Sequence, residues 1–271
     1  MTIKTLAMLK YLLLLPAIFI SFSIPAQQAS NTEDSLQLRK IYDYALTEGQ
    51  AYEWLDHLSN DIGGRLSGSR NAQKAVEYTK AELEKVGLDS VWLQPVMVPK
   101  WTRGGREYSY IQTAPGVTRD LNITALGGSV STPAGGTKAE VIEVKGLEEL
   151  EKIGREKIEG KIVFYNRPMD PTKISTFEAY GGCVDQRYSG AEEAAKYGAV
   201  GVIVRSLSLK LDDYPHTGSM SYGDLSRDKR IPAAAISTND ADYISGMLKL
   251  TPDAKLYFKL NSEVHLSLIH I

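Results

Sequence analysis

The sequence predicts an α/β protein in which a helical head precedes a β-rich domain with short flanking helices. Apolar residues recur at helical spacing in two stretches, 38–58 and 72–86. From about Leu121 the sequence pattern changes to short apolar runs separated by glycine-rich turns. Helical and strand patterns then alternate from about 147 to 250. Alternation of this kind is typical of α/β units.

The head is expected to contain two amphipathic helices between Leu38 and Leu58, with a break at Gly49. A third amphipathic helix follows over AQKAVEYTKAELEKV, and Gly87 supplies its C-terminal stop. The next stretch, DSVWLQPVMVPKW, alternates as a strand does. Proline cannot donate to a strand ladder, so Pro95 indicates an edge strand or a bulge.

The β-rich part repeats one scheme of helix and strand. A charged helix leads into a buried strand from Lys161 to Tyr165. In GAEEAAKYGAVGVIV, a helix with a small-residue face ends at Gly198 and is followed by a strand over 200–204. IPAAAISTNDADYISGMLKL reads as a strand, a helix cap at Thr238 or Asn239, and a helix. KLYFKLNSEV is the last predicted strand.

Composition excludes some partners. The 271 residues are 43% hydrophobic and 24% charged, which is ordinary for globular chains of one or two domains. A net charge of −2 with mixed signs gives no basic stripe, so nucleic acid is excluded as a partner. A peptide is the expected ligand on the grounds given below, and association of two copies is left open.

The first 26 residues have the layout of a secretory signal. Two lysines precede an apolar stretch from Tyr11 to Ile24, and cleavage is expected near Ala26. The stretch is short for a membrane span of about 20 residues, so no stable span is expected and an uncleaved anchor is the alternative. This places the protein outside the cell, in the periplasm or in the cell envelope. The single cysteine, Cys183, permits no internal disulfide.

The residues themselves supply no catalytic centre and no metal site. None of the four histidines shows His-x-Asp or His-Glu-x-x-His spacing. There is no Gly-x-Ser-x-Gly elbow and no phosphate-binding glycine loop, and nothing around Cys183 suggests a nucleophile. The acidic pairs at 148–149 and 192–193 lie on predicted helices near lysine or arginine, which favours a solvated, charge-balanced face.

Two loops have compositions that suit a binding role in addition to connecting helices and strands. DIGGRLSGSRN places Arg65 and Arg70 among glycines and serines before a helix, where they are suited to a carboxylate or where Ser69 or Asn71 caps the helix. LDDYPHTGSMSYGD, residues 211–224, is a long polar and aromatic loop. Such loops tend to line binding sites, and together with the family resemblance given below they predict that Arg65, His216 and Thr217 face a substrate cleft.

Several of these stretches resemble one family. DIGGRLSGSRN with the helix after it, and the tryptophan-bearing segment Trp101 to Gly104, resemble the head of the M28 zinc peptidases of the carboxypeptidase Q type. GKIVFYNRP, the pattern from 191 to 204, PHTGSMSYG and IPAAAISTNDAD resemble the protease-associated domain inserted in that family. The resemblance covers about 38–264 in the family's order and implies a head and first peptidase elements at 27–124 with a protease-associated domain at 125–262.

The resemblance also implies an activity. The family's members are exopeptidases of the secretory pathway or bacterial envelope that hold two zinc ions and hydrolyse dipeptides or carboxy-terminal peptide bonds. The family's metal ligands begin just after the protease-associated domain, so this chain is expected to lack them, to bind no zinc and to be inactive alone. The last six residues, LSLIHI, match nothing in the family and resemble the translation of a sequencing adapter, which makes 266–271 a non-native tail.

Two other classes compete with the exopeptidase interpretation. The first is a protease-associated domain that serves alone as a non-catalytic binding module. Such a module would not need the peptidase elements that are present at about 38–106. The second is a periplasmic binding protein, which requires two similar lobes, and the sequence has no internal repeat. Glycosylation of Asn122, in Asn122-Ile123-Thr124, is not decided by the sequence.

Overall fold

The computed structural model describes residues 31–271, so the predicted secretory signal lies outside the described residues. Within 31–271, no helix has both the length and the apolar character to cross a membrane. The chain divides into two compact units, with the division after Gly63.

The first unit is helical over its described part. It contains α1 (Asn31–Thr47) and α2 (Ala51–Asp56), and a turn of π-helix (His57–Ile62) continues α2. The break between α1 and α2 spans 48–50 and includes Gly49, as predicted. The π-helical turn was not predicted, because its wider hydrogen-bond spacing leaves no distinct sequence pattern.

The second unit begins with α3 (Arg70–Val86). The Ser69 side chain caps α3 by accepting a hydrogen bond of 3.1 Å from the Ala72 backbone N–H. Gly87 ends the helix in the left-handed region at φ 83°. Ser69, rather than Asn71, is therefore the cap, and the predicted stop at Gly87 is confirmed.

A two-stranded antiparallel ribbon joins β1 (Pro95–Thr102) to a strand near the end of the sequence, Glu263–His270. Pro95 is the first residue of β1, and β1 has one partner only, so the edge-strand prediction is confirmed. Residues 266–270 of the LSLIHI segment pair with 95–99 in this ribbon. The interpretation of that segment as non-native stays a prediction.

An eight-stranded mixed sheet forms the larger part of the second unit. Its strands are β2 (Tyr108–Ala114), β3 (Val117–Asp120), β4 (Ile123–Ala125), β5 (Thr137–Val144), β6 (Ile162–Tyr165), β7 (Gly201–Arg205), β8 (Ala233–Ile236) and β9 (Lys255–Lys259). The ribbon strand Glu263–His270 is then β10. The spatial order is β3-β2-β9-β5-β6-β7-β8-β4, and β5 to β8 are parallel neighbours.

Helices cover both faces of the parallel strands. The helices that follow α3 in this unit are α4 (Glu148–Ile153), α5 (Arg155–Ile158), α6 (Thr176–Gly181), α7 (Asp185–Tyr188), α8 (Gly190–Lys196) and α9 (Thr238–Leu250), with a 3₁₀ turn at Arg227–Lys229. Of these, α4, α5 and α8 contribute to one core cluster and α9 to the other. Successive side chains of a strand point to opposite faces. Accordingly, Ile162 and Phe164 of β6 enter one core cluster, while Val163 and Tyr165 enter the other.

Small residues allow α8 to lie close to the sheet. Ala191 and Ala194 are buried in the core cluster that contains Tyr165. A Cβ at Gly190 would lie 2.7 Å from the Tyr165 ring, whose hydroxyl donates to the Gly190 carbonyl at 3.0 Å. The predicted packing role of this small-residue face is confirmed, and Gly198 has the predicted left-handed conformation at φ 81°.

Two local predictions need correction. The cap of α9 is Ser237, one residue before the predicted Thr238 or Asn239, and its hydroxyl accepts from the Asp240 N–H at 3.1 Å. Val200 is exposed and β7 begins at Gly201. Both errors are shifts of one residue at the end of an element, where boundaries are least sharply defined.

The sheet also reaches back beyond the predicted change near Leu121. β2 and β3 join it through β9, so strands from before Leu121 belong to the same sheet as β5 to β8. Asn122 is tied to α9, since its backbone N–H and its side-chain amide both donate to one Asp240 carboxylate oxygen, at 2.7 and 2.9 Å. The side-chain nitrogen that a glycan would occupy is therefore engaged in a contact between the residue before β4 and α9.

The core position of Leu256 gives a stability prediction. Leu256 is fully buried in β9, where β9 connects β2 to β5. Leu256→Ala is expected to lower the free energy of unfolding by about 2–5 kcal/mol, because it removes buried methyl groups and leaves a cavity. Leu250→Ala, at a side chain that is 80% exposed, is the control and should change it by less than about 0.5 kcal/mol. Urea denaturation measures both, and equal effects would contradict the assigned core.

Candidate functional site

The site is built around the edge strand β4. β4 pairs with β8 on one side only, so its other side needs partners for exposed peptide groups. The Ala125 backbone N–H donates to Glu107 Oε1 at 3.1 Å. The Ala125 carbonyl accepts from Arg103 Nη1 at 2.9 Å and from Thr217 Oγ1 at 2.8 Å. Side chains from two distant segments thus complete the edge of the sheet.

The Arg103 and Glu107 side chains form one unit. Arg103 Nη1 also donates to Glu107 Oε1 at 3.0 Å, and the Glu107 side chain is 9% exposed. The turn between them depends on Gly104, which has φ 77° and approaches the Asn261 carbonyl so closely that a Cβ would lie 1.9 Å from it. This turn brings both side chains to Ala125.

Trp101 supplies an apolar surface next to this unit. Its indole Nε1 donates to the Ser129 carbonyl at 3.0 Å, and its ring packs against the core cluster of the sheet. The Ser262 hydroxyl donates to the same carbonyl at 2.8 Å. The Arg103 guanidinium carbon lies 5.1 Å from the centre of the Trp101 ring, within the range of a cation–π contact. The indole is therefore held in one orientation.

The loop after His216 forms the opposite wall. Gly127 N–H donates to the Gly218 carbonyl at 2.8 Å, and Met220 N–H donates to the Gly127 carbonyl at 2.9 Å. These bonds make a short parallel bridge between Gly127 and Ser219. The loop thereby runs beside the chain that leaves β4, which places Thr217 within reach of Ala125.

These elements enclose a cleft of about 350 Å³ within the second unit. Its lining is mainly apolar side chains and glycine backbone, with Arg103 as its charged member, and it consists of Leu66, Ser67, Pro99, Trp101, Arg103, Gly127, Gly128, Thr217, Gly218 and Ser219. A concave, mostly apolar cleft with a few fixed polar groups is the form that ligand sites take.

The three sequence-predicted site residues are placed differently. Thr217 lines the cleft. Arg65 and His216 are exposed and adjacent in sequence to lining residues, but neither is among the residues that line the cleft. Trp101 and Arg103 are not among the predicted site residues. The sequence feature that pointed to them is the family resemblance of the segment 101–104.

His216 has an acidic neighbour. Its Nε2 lies 3.8 Å from Asp212 Oδ2, and its backbone N–H donates to Ser206 Oγ at 2.8 Å. Burial opposes ionisation of Asp212, but the Tyr214 N–H and the Lys210 ammonium outweigh it and hold the pKa of Asp212 below its usual range. Asp212 therefore carries a negative charge beside His216.

The remaining candidate groups have structural surroundings. Burial raises the pKa of the Cys183 thiol, which is the opposite of what an activated nucleophile requires. Glu192 and Glu193 both form ion pairs with Lys196, at 3.2 and 2.7 Å, as expected for a charge-balanced helix face. Within residues 31–271, no group of three or more His, Cys, Asp or Glu side chains has a geometry that could hold a metal ion.

No family model matches the sequence. Carboxypeptidase Q of Mus musculus is 35% identical over 240 residues, which cover 88% of this chain and 48% of that protein. A peptidase M28 precursor from Shewanella amazonensis SB2B superposes with a TM-score of 0.77 at 32% identity, over 89% of this chain and 53% of that one. A zinc aminopeptidase from Bacillus subtilis, at 21% identity and a TM-score of 0.50 over 81% of this chain and 45% of that one, shares the fold alone.

The fold and the solved bacterial structure define the class: the chain belongs to the M28 family of peptidases. Within that family it is of the carboxypeptidase Q type, which confirms the resemblance seen in the sequence. The chain spans less than half the length of the mouse protein. It is thus a peptidase by family, with a mixed α/β fold.

Glu107 gives a prediction about the integrity of the cleft. Glu107→Ala removes the acceptor for both Arg103 and the Ala125 N–H, so it is expected to lower the free energy of unfolding by about 1–3 kcal/mol. Glu107→Gln keeps an oxygen acceptor and should cost less. Glu263→Ala, at a side chain that is 65% exposed, is the control. Thermal or urea unfolding distinguishes them, and a Glu107→Ala variant as stable as the control would contradict the assigned bonding.

Proposed function

We propose that this chain is the amino-terminal part of a secreted zinc-dependent exopeptidase, a carboxypeptidase or dipeptidase, and that its cleft binds the peptide substrate. The observation that carries the proposal is a preformed, mainly apolar cleft between the glycine-serine loop at 66–69 and the loop at 216–219, in a chain of the M28 family. The cleft is large enough for one amino-acid side chain with part of its backbone.

Zinc enters the proposal through the relatives. The solved Bacillus subtilis aminopeptidase is a zinc enzyme. A catalytic zinc site needs about three converging protein ligands. The described residues do not fit that requirement, since the cleft is lined by no His, Cys, Asp or Glu side chain. We therefore assign the zinc ligands to a part of the enzyme outside this sequence, and no catalytic step to residues 31–271.

The remaining assignments belong to the same proposal. The lysines and apolar stretch of residues 1–26 support secretion or export to the periplasm. By the family resemblance, residues 27–124 supply the head and the first peptidase elements and 125–262 the protease-associated domain, with β2 and β3 of the first range pairing into the sheet of the second. Residues 266–271 are non-native, and His270 is then not a metal ligand.

The first test concerns zinc and activity. The expressed chain from residue 27 to 271 should show no stoichiometric, tight zinc binding by calorimetry and no hydrolysis of a dipeptide, because too few ligands converge. The double variant His265→Ala/His270→Ala is the matched control and should behave as the parent does. Tight binding that this control abolishes would overturn the assignment of the zinc ligands to another part of the enzyme.

The alternative, a non-catalytic binding module, is favoured by one observation: the cleft is complete within residues 66–219 although no metal cluster is formed by the described part of the chain. The uninterrupted gene separates the two. A reading frame that continues into His-x-Asp and later glutamates supports the exopeptidase. A genuine stop codon directly after Ile271 in the uninterrupted gene supports the binding module.

The second test asks whether the loop at 216–219 forms part of the substrate site. In an intact enzyme that carries this sequence, Thr217→Val is expected to raise KM several-fold with little change in kcat, because it removes the hydroxyl that fixes the cleft wall to Ala125. His216→Ala should raise KM as well if His216 reaches the substrate.

Thr118→Val is the matched control, because Thr118 is an exposed threonine on the edge strand β3. Its kinetics should equal those of the parent. If Thr217→Val leaves KM unchanged while both variants retain their thermal stability, the loop at 216–219 has a structural role only.

A further inference from the structure

Arg103 has donors that its structural contacts do not use. A guanidinium has five N–H donors in a rigid planar arrangement. Both contacts of Arg103 with Glu107 and the Ala125 carbonyl are made by Nη1. Within the described residues, no hydrogen bond from Nε or Nη2 of Arg103 is found; 35% of the side chain is exposed, and Arg103 is among the residues that line the cleft.

The position of this guanidinium is held from several sides. Nη1 donates to two acceptors, and the Trp101 ring lies 5.1 Å from the guanidinium carbon. The turn that follows Arg103 is tightly packed, because a side chain at Gly104 would clash with the Asn261 carbonyl. A group that is already ordered loses little entropy when it binds a ligand. Arg103 therefore offers fixed donors on an otherwise apolar cleft.

Two guanidinium groups lie at or next to the cleft. Glu107 neutralises part of the Arg103 charge. A second guanidinium, that of Arg187, lies directly against Gly218 of the opposite wall, where a Cβ would be 2.6 Å from its Cζ. Arg187 is held by stacking on Tyr180 and by a hydrogen bond to the Tyr180 hydroxyl. No carboxylate is among the residues that line the cleft.

We propose that Arg103 is the carboxylate-binding residue of the cleft and that it accepts a carboxylate group of a peptide whose apolar side chain lies against Trp101. The proposal rests on the proposed function of the cleft as a peptide site. An arginine fork binds a carboxylate through two parallel N–H···O bonds, which fixes its orientation as well as its position. The carboxylate can be the free end of a peptide or an acidic side chain.

The test compares three small probes on the chain expressed from its full sequence. N-acetyl-phenylalanine has a free α-carboxylate, its amide has none, and N-acetyl-phenylalanyl-aspartic acid α-amide keeps the apolar side chain and has a side-chain carboxylate only. Binding is followed by NMR through the indole N–H of Trp101, which is assigned with Trp101→Phe. The acid is expected to bind about tenfold or more tightly than the amide, as charge-assisted hydrogen bonds imply.

The third probe separates the two carboxylate sources. Preference for N-acetyl-phenylalanine assigns the site to a peptide end, and preference for the aspartyl probe assigns it to an acidic side chain; either supports the proposal. Equal binding of acid and amide, or binding of neither, overturns it. This comparison uses the parent chain, so it does not depend on the folding of any variant.

Variants then test the residue. Arg103→Gln should abolish the preference for the acid, and Arg103→Lys should restore part of it, because an ammonium keeps the charge and loses the fork. Arg106→Gln, at an exposed arginine that does not line this cleft, is the matched control and should keep the full preference. Hydrolysis of peptides by the intact enzyme is measured separately, so failure of the proposed function is distinguished from failure of this inference.

Discussion

The unpaired edge of β4 is the constraint on which the site depends. An edge strand exposes peptide groups that need partners, and many proteins satisfy them with water or cover them with a loop. Here the N–H of Ala125 is satisfied by Glu107, and its carbonyl by Arg103 and Thr217. Because those side chains come from the turn after β1 and from the loop at 216–219, closing the edge also brings the two walls of the cleft together.

Much of the fold was predictable because it follows from local chemistry. A serine before a helical run predicts a cap, as at Ser69, and a glycine after it predicts a left-handed stop, as at Gly87. The buried strands β6 and β7 are short apolar runs that follow a glycine, at Gly160 and Gly198, which the sequence displays directly. The cap of α9 was misplaced by one residue because serine, threonine and asparagine stand in succession there.

The site was less predictable because its contacts join distant segments. Arg103 meets a carbonyl 22 residues away, and Thr217 meets the same carbonyl from 92 residues away. Neither the hydrophobic periodicity nor a helix-capping pattern in the sequence indicates such a long-range contact. Composition did lead to the loop that carries Thr217, because a long polar loop invites a functional interpretation, but exposure and loop length could not distinguish Thr217 from His216. The membership of β2 in the sheet was hard to predict for the same reason, because its partner strand β9 is far along the chain.

The cleft is also built without any metal cluster among the residues that the structure describes. Metal sites often contribute folding energy, so that a protein without its metal loses the shape of its site. In the described part of this chain, the cleft walls are held by hydrogen bonds to Ala125, Gly127 and Ser129 and by the packing of Trp101 on the sheet. None of these contacts involves a metal ligand. The shape of the cleft is therefore set by the sheet edge, and under the proposed function the catalytic centre of the enzyme would face a wall that is already ordered.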